Sequence, residues 1–139
     1  MTLEFPDVFD LNGAGGSVPE RNWVGVATDI ELASVSYPTD TYSDIDLSSY
    51  LPDDNNQYEV MLYVLLNASK VADAYVNVLA TTDVITQYTS LGAVRSQSAS
   101  YNASHGGTVI IPVGAGRKIR LLARANDSGT AVIRLRAYK

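Results

Sequence analysis

The sequence predicts an all-β fold: an antiparallel β-sandwich, with a jelly roll among the topologies open to it, preceded by a flexible N-terminal arm. Three observations predict it. β-branched and aromatic residues dominate the regular segments, and no segment sustains a helical period. Eight to nine short runs are separated by turn residues at hairpin spacing. With 139 residues, 46% of them hydrophobic and 18% charged, the chain suits one domain with its own core.

The segments justify this reading in order. Residues 1–20 hold LNGAGGSVPE, a glycine-rich stretch closing on proline, and read as an arm or linker. Residues 21–139 form the single sandwich domain. Asn22–Ala27 and Ile30–Tyr37 are the first strand candidates, broken at Thr28-Asp29, and Tyr37-Pro38 ends the second. Thr39–Asn56 is polar and acidic and reads as a long loop with a short strand or turn around Ile45–Leu51. Gln57–Ala68 is apolar on both faces, as in a central strand or one covered by another subunit.

Ala74–Ala80 alternates cleanly, whereas Asp83–Thr89 and Ala93–Tyr101 are rich in Thr, Ser and Gln and read as exposed or edge strands. Asn102–Gly107 reads as a turn. From Thr108 the chain runs strand, turn, strand, turn, strand to Lys139. Ile119, Leu121 and Ala123 share one face of their strand, and Ile133, Leu135 and Ala137 share one face of the next. A three-residue loop, Asp127-Ser128-Gly129, joins them as a hairpin in which apolar meets apolar; a two-residue turn shifts the register by one and spoils it.

Charge is segregated. Residues 1–60 contain twelve acids against one base, Arg21, while residues 117–139 contain seven bases against one acid, Asp127. Such asymmetry implies that acidic and basic surfaces meet, within the subunit or between copies. In the hairpin register, Arg120, Arg124, Arg134 and Arg136 fall together as a patch of four guanidinium groups, an expected subunit or partner interface for carboxylates. Nucleic acid is not expected there, because only Tyr138 offers a stacking ring and the net charge is −5.

The candidate chemistries are few. The single histidine, His105, sits in SHGG, and Ser104 or Ser100 beside it lacks a nucleophile elbow, so no catalytic residue is assigned. Asp40, Asp44, Asp46, Asp53 and Asp54 depart from calcium-loop spacing, and neither Gly13–Ser17 nor Gly114–Lys118 completes a phosphate-binding motif. No metal or cofactor is therefore expected. Cysteine is absent, which removes disulfides and thiolate sites. The acidic N-terminus lacks the order of a signal peptide, and no apolar run approaches a membrane span. Tyr37, Tyr42 and Tyr50 flank the acidic loop as possible glycan contacts.

Asp46–Pro52 (DLSSYLP) with the following Tyr58–Leu66 strand, and GGTVIIPVGAGRKIRLLARA over Gly106–Ala125 with the ending Tyr138-Lys139, resemble small β-rich structural proteins of bacteriophage virions, namely fibre and head-decoration C-terminal domains. The resemblance spans residues 45–139. It implies a sandwich that assembles symmetrically, commonly as a homotrimer, with an N-terminal segment attached to a larger particle. A non-enzymatic virion protein is the expected function, with other virion proteins as partners; a carbohydrate-binding module that contacts a host-surface glycan is the alternative.

Overall fold

The computed structural model describes residues 21–37, 41–127 and 129–139. The expected arm, residues 1–20, and Asp40 lie outside them. The described chain forms eight strands: β1 (Val24–Tyr37), β2 (Thr41–Asp46), β3 (Tyr58–Ala68), β4 (Tyr75–Thr82), β5 (Thr89–Arg95), β6 (Ala103–Val113), β7 (Lys118–Ala125) and β8 (Gly129–Tyr138). They build two four-stranded sheets, A in the order β1-β8-β3-β6 and B in the order β2-β7-β4-β5. Every pairing is antiparallel. This order is that of a jelly roll, an architecture shared by viral capsid, lectin and cupin domains.

Strand periodicity locates the core. In β3 buried residues alternate without a break from Tyr58 through Val60, Leu62, Val64 and Leu66 to Ala68. β4 adds Val76, Val78 and Ala80, β7 adds Ile119, Leu121 and Ala123, and β8 adds Ala131, Ile133 and Leu135. The inner faces of the two sheets thus meet in one continuous apolar layer. At one end of the sandwich the DLSSYL segment folds into a turn, with the Leu47 carbonyl accepting from Tyr50 N at 2.9 Å and Leu51 N at 3.0 Å. Leu47 and Leu51 are thereby buried against the core.

The hairpin expected at the C-terminus does not form. β7 pairs with β2 and β4 in sheet B, while β8 pairs with β1 and β3 in sheet A. The link between them is an arch from one sheet to the other. Asn126 fixes its start: its Oδ1 accepts from Tyr75 N and its Nδ2 donates to the Asp73 carbonyl, both at 2.8 Å, which ties the end of β7 to the start of β4. Gly129 fixes its end, since a Cβ there would lie 2.4 Å from Val76 Cγ2 and 2.5 Å from the Asn67 carbonyl oxygen.

Other boundaries also differ from expectation. The two N-terminal runs are one strand, and the expected break at Thr28-Asp29 is a register irregularity between Gly25 and Ile30. β2 begins at Thr41, inside the expected loop, and Ile45 is its one large buried apolar residue, so its signal is weak. The two weak strands are a single one, β5, at the edge of sheet B. The expected turn at Asn102–Gly107 is mostly the first half of β6. Its Gly106 makes room for a ring, as a Cβ there would meet the Tyr63 hydroxyl at 2.8 Å.

The Gly114–Lys118 segment proves to be a structural turn. The Asp83 carboxylate accepts from Gly114 N at 2.8 Å and Gly116 N at 3.0 Å, an approach that a Cβ on Gly114 would block at 2.3 Å. Arg117 follows in the left-handed region (φ 52°). Its guanidinium compensates by donating to the Ser48 and Leu51 carbonyls and pairing with Asp53 at 3.2 Å. The β6–β7 turn is thus clamped onto the leucine turn that plugs the core.

Two substitutions test this packing by chemical denaturation. Leu62→Ala, at a fully buried position of β3, is expected to cost about 2–5 kcal/mol. Gly129→Ala is expected to cost about 1–3 kcal/mol, because the arch must shift away from backbone that cannot yield. A neutral Gly129→Ala would show that the arch is loosely packed.

Candidate functional site

The jelly roll divides the four arginines between two faces. Arg120 and Arg124 project outward from β7 on sheet B, and Arg134 and Arg136 outward from β8 on sheet A. The single patch of four guanidinium groups therefore does not exist. It depended on β7 and β8 being hydrogen-bonded neighbours, whereas each lies beside strands from earlier in the chain.

That arrangement also disposes of much of the charge asymmetry. Acid-bearing β1 lies beside β8, and acid-bearing β2 beside β7. Asp44 sits opposite Arg120 and takes its guanidinium in a two-pronged pair, at 2.6 Å from Nε and 3.0 Å from Nη2. Glu31 faces Arg134 at 3.9 Å, and Glu59 meets Lys139 at 3.3 Å. The hydrogen bonds from Arg120, and then its charge, hold the Asp44 carboxyl below the usual carboxylate range against an opposing desolvation effect, and Asp44 in turn raises Arg120.

The loop carboxylates are taken by separate donors. Asp46 accepts from Ser48 N at 2.8 Å, Asp53 pairs with Arg117, and Asp54 accepts from the Tyr58 hydroxyl and Asn56 N. These hydrogen bonds lower the Asp46 and Asp54 carboxyls as well, with Ser48 and Tyr58 as the leading causes. Among the described residues no three acidic or histidine side chains gather as a metal-binding group. Ser104 donates to Asn67 Oδ1 at 2.5 Å. His105, the next residue along β6, projects from the opposite face of the strand, so the two do not form a nucleophile–base pair.

The three tyrosines part company. Tyr42 stands on the outer face of β2, 63% exposed. Tyr50 belongs to the leucine turn and packs partly against the core. Tyr37 ends β1 in the other sheet, its backbone opposite Gly129, and its side chain lies outside the described residues.

No family model matches the chain, and no curated protein does. Among solved structures, it is similar to a chain of the extra small virus virus-like particle from the giant freshwater prawn Macrobrachium rosenbergii: 15% identity, 90% of this chain and 91% of that one covered, TM-score 0.35. A chain of the cowpea mosaic virus empty virus-like particle shows 10% identity over 86% of this chain and 84% of that one, also at a TM-score of 0.35.

Two surfaces stand out. On sheet A, β3 turns Met61, Tyr63 and Leu65 outward, half-buried, and Ile110 of β6, directly opposite Met61, is 52% exposed. Arg136 lies over the Tyr63 ring at 4.3 Å and reaches Thr108 Oγ1 at 3.3 Å. The apolar character of both β3 faces was legible in the sequence; the stacking of Arg136 on Tyr63 was not. On sheet B, Tyr42 and Tyr88 have ring centroids 6.4 Å apart at 52°. Beside them a groove of about 240 Å³ is lined by Asp44, Thr81, Thr82, Asp83, Lys118, Ile119 and Arg120. Tyr88 lies in a stretch with no apolar alternation to point to it.

The carboxylate shifts fix the sign of an acid effect. Asp44, Asp46 and Asp54 bind protons less readily folded than unfolded, so their stabilisation is complete above the unfolded value near pH 4 and is lost as pH falls through the lower folded ones. Thermal melts of the wild type and Asp44→Asn should differ at pH 6 and converge towards pH 2. A constant difference across that range would show that the Asp44–Arg120 pair contributes nothing that depends on charge.

Proposed function

We propose that the protein is a non-enzymatic structural component of a virus particle, packing against copies of itself through the outer face of sheet A. The observation that carries this reading is the apolar outer face of β3. Met61, Tyr63 and Leu65, extended by Ile110 and by Val132 opposite Leu65, form a contiguous surface of the kind that marks a protein contact. The outer face of sheet A as a whole, eleven residues along β3 and four strands across, measures roughly 36 by 19 Å, about 700 Å², close to the roughly 800 Å² that each partner gives to a stable interface.

Composition fits as well. Aromatic, methionine and arginine side chains are enriched at interface centres, and Tyr63, Met61 and Arg136 are grouped here. Lys139 with Glu59 at the end of the face, and Arg134 with Glu31 beside Tyr63, set both charge signs around the apolar residues. In its finer form the proposal makes the protein a bacteriophage component, a capsid decoration, head-fibre or tail-fibre subunit. Homotrimers then attach to other virion proteins through residues 1–20. The resemblance carried by residues 46–52, 58–66 and 106–125 supports that form, and the jelly-roll strand order is compatible with it. In this reading Arg134 and Arg136 belong to the contact, and Arg120 and Arg124, on sheet B, lie outside it.

Solution mass by light scattering tests it. The wild type is expected at a multiple of the subunit mass, with three copies favoured. Leu65→Asp combined with Ile110→Asp should release single subunits that keep the β circular-dichroism spectrum. Arg136→Glu should weaken assembly, and Arg124→Glu, on the other sheet, should not. A monomeric wild type would remove the proposal.

A further inference from the structure

We infer that the outer face of sheet B carries a binding site for a neutral saccharide, built from the Tyr42–Tyr88 pair and the groove beside it, whose polar groups are those of Asp44, Asp83, Lys118 and Arg120. The site is distinct from the Tyr37, Tyr42 and Tyr50 grouping expected from the sequence, of which it keeps only Tyr42. It is independent of self-assembly, since it lies on the sheet opposite the proposed contact.

The two rings do more than shield the strand beneath them. Leu122 points outward from β7 and lies in register between Tyr42 and Leu79, yet it is 2% exposed, so its cross-strand neighbours already cover it. Tyr42 still leaves 63% of its surface to solvent. An exposed ring held against a second ring is a platform for the C–H face of a pyranose, with a phenol hydroxyl at its edge.

The groove supplies the rest. Asp44 is held by both prongs of Arg120, so acceptor and donor stand side by side in a fixed orientation that binding need not organise. Asp83 is anchored by the Gly114 and Gly116 amides. Each carboxylate has about four lone-pair sites, so both retain capacity for a sugar hydroxyl. Lys118, opposite Asp46 on the same rim, adds a donor to the guanidinium of Arg120. Thr81 and Thr82 are committed to the carbonyls of Ile85 and Pro112, which makes them walls rather than ligands.

The mixture of charges selects the ligand class. A phosphate or a sialic acid would meet Asp44, Asp46 and Asp83 as well as the two cations. A metal ion would have to compete with Arg120 and the glycine amides for the same oxygens. A ring of uncharged hydroxyls can donate to the carboxylates and accept from Lys118 and Arg120 at once, and the small groove suits one such ring with its neighbour resting on the tyrosines.

The test screens the full chain on an array of neutral and sialylated oligosaccharides, then titrates the best neutral one calorimetrically. Saturable binding to neutral glycans is expected. It should weaken roughly two- to tenfold in Tyr42→Ala and in Tyr88→Ala, the scale of one lost aromatic contact. Tyr101→Ala, at a 74% exposed tyrosine between β5 and β6, should bind as the wild type. Tyr42→Phe keeps the ring and should retain most of the affinity, which separates stacking from any loss of fold. No binding on the array, a preference for sialylated glycans, or undiminished binding by Tyr42→Ala and Tyr88→Ala would each overturn the inference.

Discussion

The fold depends on the last two strands being inserted between earlier ones. β8 donates and accepts along two edges at once, to β1 and β3, and β7 does the same between β2 and β4. Without them each sheet would expose a double row of unpaired amides and carbonyls, and a buried or half-buried backbone group cannot stay unpaired cheaply. The same two strands line the inner layer with Ile119, Leu121, Ile133 and Leu135. Removing either strand would therefore break a ladder and open the core together.

Insertion also gives the segregated charges their meaning. A chain with acids at its beginning and bases at its end looks like one half of a complex. The jelly roll lays its first two strands beside its last two, so the complement is supplied from within, through Asp44–Arg120 and Glu31–Arg134. Exposed pairs of this sort add little to stability. Their value is in pairing, since opposite charges across a ladder favour the native neighbour and like charges disfavour others. The surplus that might have recruited an acidic partner is largely consumed in placing strands.

The strands were legible in the sequence because a period of two survives wherever one face is buried. β3, β4, β7 and β8 fall within a residue or two of their expected limits. The topology was not legible. An apolar face on residues 119–123 and another on residues 133–137 fit a hairpin, where they would lie side by side in one sheet. They fit an arch equally well, where they face each other across the core. What separates the two is tertiary: Asn126 bridging to residues 73 and 75, and Gly129 pressed against Val76 and Asn67. The candidate sites share this limit. Tyr42 could be singled out as an exposed aromatic beside acids, but its partner Tyr88 and its neighbour Arg120 come close only through the pairing of β2, β7 and β4.

Of the connections between successive strands, the one from β4 to β5 alone joins hydrogen-bonded neighbours; every other crosses to the opposite sheet. Nearly all stabilising contacts therefore close long loops, which places the chain among slow-folding topologies. On the ribosome the consequence is sharper. The strand that fills the middle of sheet A, β8, is made after the other seven, so until it emerges β1 and β3 have open edges towards each other, each able to accept a strand from another chain. A chain that presents these edges until β8 emerges and conceals them afterwards has a built-in moment at which crowding with its own copies decides between the native fold and aggregation.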